Sequence, residues 1–315
     1  MARIDPRTIE KAISDAAEVA RPHARRGQVA DYIPQLAELD PDRFGLALVE
    51  LDGHEHAVGD ADECFPIQSI SKLFALVLAM QRLGSDKGVS EEIWTRVGRE
   101  PSGDPFNSLV QLEHERGIPR NPMINAGALV IADLLLEHCG DPLESLTDLL
   151  GQLAGEPIRI DPDVAAAEEA TSQRNRAMGN LMASFGNLTN DIDAVLDVYN
   201  RQCAITMTAR QIARSVRFLA DDGVDPASGL SILSGSLARR VMAVMLTCGT
   251  YDAAGDFAFS VGLPCKSGVA GGILAVAPDH SGICVWSPPL DVAGNSVAGR
   301  VALHELTDRL ELSIF

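Results

Sequence analysis

Lysine is scarce in this chain. Four lysines (Lys11, Lys72, Lys87 and Lys266) stand against twenty-two arginines in 315 residues, so arginine serves wherever a plain surface cation is enough. A lysine set beside a buried apolar run then points to what arginine cannot do, which is to give up its proton near neutral pH. Cations as a whole are outnumbered. The formal net charge of −18 repels phosphate backbones and anionic lipid surfaces, which argues against nucleic-acid and membrane partners. Long apolar runs are missing too: the longest, Leu73 to Met80, falls far short of the ~20 residues that span a bilayer. The opening MARIDPRTIEKAISDAAEVA has no apolar core of the leader type, so a cytoplasmic protein is expected.

Paired ligand motifs are equally lacking. The six cysteines (Cys64, Cys139, Cys203, Cys248, Cys265, Cys284) form no CxxC pair and read as buried, reduced thiols. His54 and His56 flank Glu55 after a strand-like run, but no third ligand completes a zinc-type set, so the pair reads as a solvated turn. Neither a metal nor any other cofactor is expected.

What is present is ordinary globular composition, 46% apolar and 22% charged, in a chain long enough for two lobes. Residues 7–20 have helical spacing. FGLALVELDG (44–53) reads as a strand closed by an Asp52-Gly53 hairpin turn, with a second strand through Ala57. From Ser69 to Gly84 the pattern is a helix with almost no polar face, hence buried on all sides. Residues 90 to 250 are helical with Gly, Pro, Asn and Asp breaks. FAFSVGLP (257–264), SGVAGGILAVAP (267–278) and GICVWSP (282–288) read as a strand meander, and helix returns from about 293. The expected fold is therefore α+β: an antiparallel sheet built from both chain ends and flanked by helices, with an inserted all-helical lobe. As a single domain over 1–315, its mixed lobe spans about 1–68 and 250–315, and its helical lobe about 85–249.

Ser69 and Lys72 form S-x-x-K, which puts hydroxyl and amine on one face of the helix, one turn apart. A serine hydroxyl attacks only when something takes its proton, and a lysine with a depressed pKa can do so. The plain alternative is an N-cap serine followed by an exposed lysine. Lys266 opens Lys266-Ser267-Gly268 at the head of a strand. S-x-x-K on a helix and K-[ST]-G on a strand together resemble the penicillin-recognising serine enzymes. That likeness implies an oxyanion hole formed by the backbone N–H groups of Ser69 and Val269.

A closer resemblance runs along nearly the whole chain. YIPQLA (32–37), FPIQSISK (65–72), GREPSGDPFNS (98–108), NPMINAGA (121–128), CGTYDAAGDFAFSVGLPCKSGVAGGI (248–273) and WSPPLDVAGNSVAG (286–299) are similar, in the same order, to the signatures of the serine-dependent glutaminase family. The resemblance implies a serine β-lactamase-like fold and hydrolysis of L-glutamine to glutamate and ammonia through an acyl-enzyme. It implies Ser69 as nucleophile, Lys72 as base, Tyr251 beside the serine and Tyr32 lining the pocket. Glutamine contacts map onto Ser69, Asn125, Glu168, Asn175, Tyr199, Tyr251 and the backbone of Val269. Glu168 is preferred to its neighbour Glu169 by its seven-residue spacing to Asn175. The family also suggests a homodimer or homotetramer.

These residue types suit a zwitterion, whose ammonium needs a carboxylate and whose carboxylate needs amide or phenol donors. Taken singly, each has an ordinary role as cap, solvated surface or satisfied core. That all three tyrosines of the chain (Tyr32, Tyr199, Tyr251) fall at pocket positions is the less accidental outcome. Two rival readings are another S-x-x-K hydrolase, such as a β-lactamase or peptidase, and a non-catalytic glutamine-binding regulator.

Overall fold

The computed structural model describes residues 4–83, 89–102 and 109–315. Eight strands lie within them: β1 Gly45–Glu50, β2 Glu55–Gly59, β3 Phe65–Pro66, β4 Arg159–Ile160, β5 Ile205–Met207, β6 Cys265–Ser267, β7 Gly272–Ala277 and β8 Ser281–Trp286. Five of them form one antiparallel sheet in the order β2-β1-β8-β7-β6, so both ends of the sequence contribute. Gly53, at φ +91°, turns the β1–β2 hairpin, a conformation that costs a side-chain-bearing residue more than glycine.

The inner strands are apolar on both faces because both faces are covered. Leu46, Leu48, Ile273, Ala275, Ile283 and Val285 share one core with Ile9, Ile13, Leu303 and Leu306, which come from the helices Pro6–Ala20 and Val297–Leu310. The alternate residues Ala47, Val49, Leu274, Val276, Cys284 and Trp286 point into a larger core shared with the helices of the middle of the chain. The fold is thus α+β as expected, an antiparallel sheet flanked by helices with a helical region inserted between its strands. That region also holds a small sheet, β3-β5-β4, whose two- and three-residue strands are too short to leave a periodic signal.

Two helices at the centre carry almost no polar face. Ser71–Arg82 is buried from Ser71 to Met80, and Asn125–His138 from Ala126 to Leu135. They pack against each other. Among the described residues, no helix is long and apolar enough to cross a membrane.

Three local readings change. The central helix begins as a 3₁₀ turn over Gln68–Ile70 and becomes α-helical only at Ser71; Gly84 lies outside the described residues. FAFSVGLP is not a strand: Ala254–Ser260 is helical. Ala254, Phe257 and Val261 are buried while Phe259 is 95% exposed, which is spacing for a helix rather than alternation for a strand. His56 is not in a solvated turn but buried on β2, its Nε2 2.9 Å from Oε1 of the equally buried Glu50. Five of the six cysteines are buried, and Cys64 is exposed.

Candidate active site

A cavity of about 290 Å³ opens where the central helices meet the turn between β6 and β7, lined by Tyr32, Gln68, Ser69, Asn125, Glu168, Thr171, Arg174, Asn175, Tyr199 and Val269. Three larger clefts, of about 670, 620 and 390 Å³, lie elsewhere. None of them reaches Ser69, which lines the smaller cavity with Lys72 behind it, so the chemistry belongs there.

Ser69 sits in the 3₁₀ turn and Lys72 on the first turn of the helix after it, with Lys72 Nζ 2.8 Å from Ser69 Oγ. The N-cap of that helix is Ile70 rather than Ser69, and Lys72 is buried, so the plain reading of an N-cap serine and an exposed lysine fails. Lys72 also donates to Asn125 Oδ1 at 2.6 Å and stands 5.6 Å from the centre of the Tyr199 ring. Burial drives its pKa down to about 8, although Cys203 and Glu168 pull the other way. The cause is desolvation of the charged amine. Asn125 is held by the fold beneath it: Asn121 Oδ1 accepts the N–H groups of Met123 and Ile124, and Gly127 packs so closely that a Cβ would lie 1.9 Å from the Asn121 carbonyl oxygen. Asn125 Nδ2 in turn donates to Asn175 Oδ1 at 3.1 Å.

Glu168 closes the opposite wall. It is buried, whereas Glu169 is exposed and lines the 620 Å³ groove outside. Tyr32 Oη donates to Glu168 Oε1 at 2.7 Å, and Gln68 Nε2 donates to the same oxygen at 2.9 Å. Burial nevertheless raises the Glu168 pKa, against the lowering effect of those bonds and of Lys72. The carboxylate is short of positive charge. Gln68 had no place in the sequence reading. It lies within FPIQSISK, but only its φ of +49° and its bond to a residue one hundred positions away mark it, and neither leaves a local signal.

Tyr251 is buried, and its ring sits 4.6 Å from Lys266 Nζ. Its hydroxyl is hydrogen-bonded with Ser69 and Ser267; burial pushes its pKa up to about 12 and those bonds oppose the rise. Lys266 is fully buried, donates to the Ser267 carbonyl at 2.6 Å, and has its pKa lowered well below the usual lysine range, first by desolvation and then by Lys72. Gly268 permits a close approach to the serine turn: a Cβ there would be 2.6 Å from the Ile67 carbonyl oxygen and 3.4 Å from Ser69 N. Val269 is thereby seated beside the serine. The nine residues selected from the sequence thus converge on one place, seven on the cavity wall, with Lys72 and Tyr251 buried behind it against Ser69. Of GREPSGDPFNS, residues 103–108 lie outside the described residues.

A glutaminase family model matches residues 27–315. The chain belongs to the glutaminase family. It is an enzyme of that class, an amidohydrolase. A glutaminase of Rhodopseudomonas palustris is 53% identical over 98% of both chains. Among solved structures, a probable glutaminase superposes with a TM-score of 0.92 at 35% identity over 99% of both chains. A Bacillus subtilis glutaminase in covalent complex with 5-oxo-L-norleucine, formed by reaction with 6-diazo-5-oxo-L-norleucine, gives 0.83 at 35% identity, covering 96% of this chain and 98% of its own.

Proposed function

We propose that this member of the glutaminase family hydrolyses free L-glutamine by two-step acyl transfer, with Ser69 as nucleophile and Lys72 as its general base. The observation that carries this is the buried Ser69 Oγ–Lys72 Nζ contact of 2.8 Å with a lysine whose pKa is near 8. A neutral amine at that distance accepts the serine proton as Oγ attacks Cδ of the side-chain amide. The oxygen of the tetrahedral intermediate takes the N–H groups of Ser69 and Val269. As the C–N bond breaks, Lys72 or Tyr251 returns a proton to the nitrogen and ammonia leaves. Water then attacks the γ-glutamyl ester, Lys72 takes its proton, and glutamate is released with Ser69 restored.

Recognition follows from the same wall. Glu168, buried and short of positive charge, pairs with the α-ammonium, while Asn125, Asn175, Tyr199 and Tyr251 offer amides and phenols to the rest of the zwitterion. Tyr32 fixes the Glu168 carboxylate from the mouth of the cavity. The reading takes the chain as one catalytic domain of two lobes around one site, and extends by family resemblance to a cytoplasmic homodimer or homotetramer.

The test is ammonia release from glutamine by the purified protein, with intact-mass analysis after 6-diazo-5-oxo-L-norleucine. We expect turnover, and a single adduct that maps to Ser69 and disappears in Ser69→Ala. Turnover with an adduct elsewhere would overturn the mechanism, and no turnover would overturn the function.

A further inference from the structure

Tyr251 stands in a backbone conformation that side-chain-bearing residues avoid, φ +57°, which persists only where neighbours over-determine it. The peptide plane that sets this φ includes the Thr250 carbonyl, which accepts Asn295 Nδ2 at 3.1 Å. Asn295 is fully buried, and its Oδ1 has no partner among the described residues. Exchanging the amide's oxygen and nitrogen would set acceptor against acceptor at Thr250, so the orientation is fixed by that one bond. A buried amide left half unsatisfied is a poor stability device, because the unpaired oxygen costs free energy that an apolar residue would avoid.

The segment that presents Asn295 is stiff. Asp291 Oδ1 accepts the N–H groups of Ala293 and Asn295 at 2.9 and 3.0 Å, and the Asp291 N–H donates to the Asn295 carbonyl at 2.8 Å. Gly294, at φ +87°, brings the turn against the active site: a Cβ there would lie 3.8 Å from the Tyr251 ring and 3.9 Å from Val269 Cγ1. The WSPPLDVAGNS block, for which the catalytic reading has no use, thereby braces the residue beside Ser69.

We propose that Asn295 is a positioning residue for the acyl-transfer step, holding the Thr250–Tyr251 peptide so that the Tyr251 hydroxyl stays within hydrogen-bonding reach of Ser69. The inference rests on the reading of Tyr251 given above. Because Asn295 acts through Tyr251 without entering the cavity, its loss lowers kcat and disturbs glutamine binding no more than loss of the Tyr251 hydroxyl does.

The experiment is a double-mutant cycle on the full-length enzyme with Asn295→Ala, Asn295→Asp and Tyr251→Phe. We expect Asn295→Ala to lower kcat by about tenfold, with KM changed no more than in Tyr251→Phe. Asn295→Asp, the same shape with the donor removed, should be no better at neutral pH. Asn295→Ala should cost little more once Tyr251 is phenylalanine, since the hydroxyl it positions is already gone. Full additivity would make Asn295 a plain structural residue and overturn the proposal, as would wild-type kcat in Asn295→Ala alongside an impaired Tyr251→Phe. A fully active Tyr251→Phe would instead overturn the reading of Tyr251, and the proposal with it. Should Asn295→Ala fail to fold, Asn295→Asp carries the same cycle.

Discussion

Lys72 and Asn125 face each other from two buried helices, Nζ to Oδ1 at 2.6 Å. Asn125 gives one amide N–H to Asn175, which holds the amide with its oxygen toward the lysine. One amine proton is thereby committed to Asn125, which lets the lone pair of the neutral amine turn to the serine hydroxyl. The neutral amide also supplies this anchor without a charge that would hold the lysine protonated.

The pH profile follows. Lys72 is competent only when deprotonated, and its pKa is lowered to about 8, so kcat/KM should rise with pH through about 8 and fall again only where the α-ammonium of glutamine itself deprotonates. Asn125→Asp puts a carboxylate against the amine, which favours the charged form. Its profile should move upward by a pH unit or more, with activity at pH 7 correspondingly reduced. An unshifted midpoint in Asn125→Asp would show that the profile reports some group other than Lys72.

Removal of the reacting groups separates charge from proton transfer. Ser69→Ala should abolish turnover while glutamine still binds, as isothermal titration can measure. Lys72→Arg keeps the charge and cannot serve as a base, so it should be nearly as inactive as Lys72→Ala. A well-active arginine variant would reduce Lys72 to an electrostatic role.

Glu168 tests recognition apart from chemistry. Charge-assisted hydrogen bonds are worth roughly 1.5–3 kcal/mol, so Glu168→Gln should lose about tenfold to a hundredfold in kcat/KM for glutamine. N-acetylglutamine has no ammonium. It should be a very poor substrate for both the wild type and Glu168→Gln, with no further loss in the variant. Glu169→Gln, on the outer groove, should match wild type on both substrates. A selective loss in Glu169→Gln would move the ammonium site outward.

Central helix, sheet strands and the Ser69–Lys72 pair could all be read from the sequence, because each depends on local pattern: an apolar run without a polar face, β-branched residues between turns, a spacing of three. Asn125, Glu168 and Asn175 were legible only through family resemblance, since alone each looks like helix surface. Gln68, Asn295 and the helix over Ala254–Ser260 were not legible. The first two work through single hydrogen bonds to distant residues, and the helix exposes Phe259 in a way that composition does not foretell.

Gly268 offers a test of close approach. In Gly268→Ala the new methyl would meet the Ile67 carbonyl at 2.6 Å, so the turn carrying Val269 must retreat from Ser69. We expect kcat to drop by a hundredfold or more, out of proportion to a stability loss of about 1–3 kcal/mol and a melting point lower by about 2–10 °C. Loss of melting temperature with kcat intact would show that the turn has no part in the reaction.

The pairing of β1 with β8 joins Gly45 to Trp286 and Glu50 to Ser281, which makes an early strand wait for the central strand of the sheet, made more than 200 residues later. Contacts of such separation are slow to form, because a long loop must close before any of them is rewarded. On the ribosome, therefore, a chain that has already produced its serine and lysine still lacks Tyr251, Val269 and the sheet that seats them. A chain terminated before β8 should be inert toward amides, so activity would appear only once that strand has been made and paired.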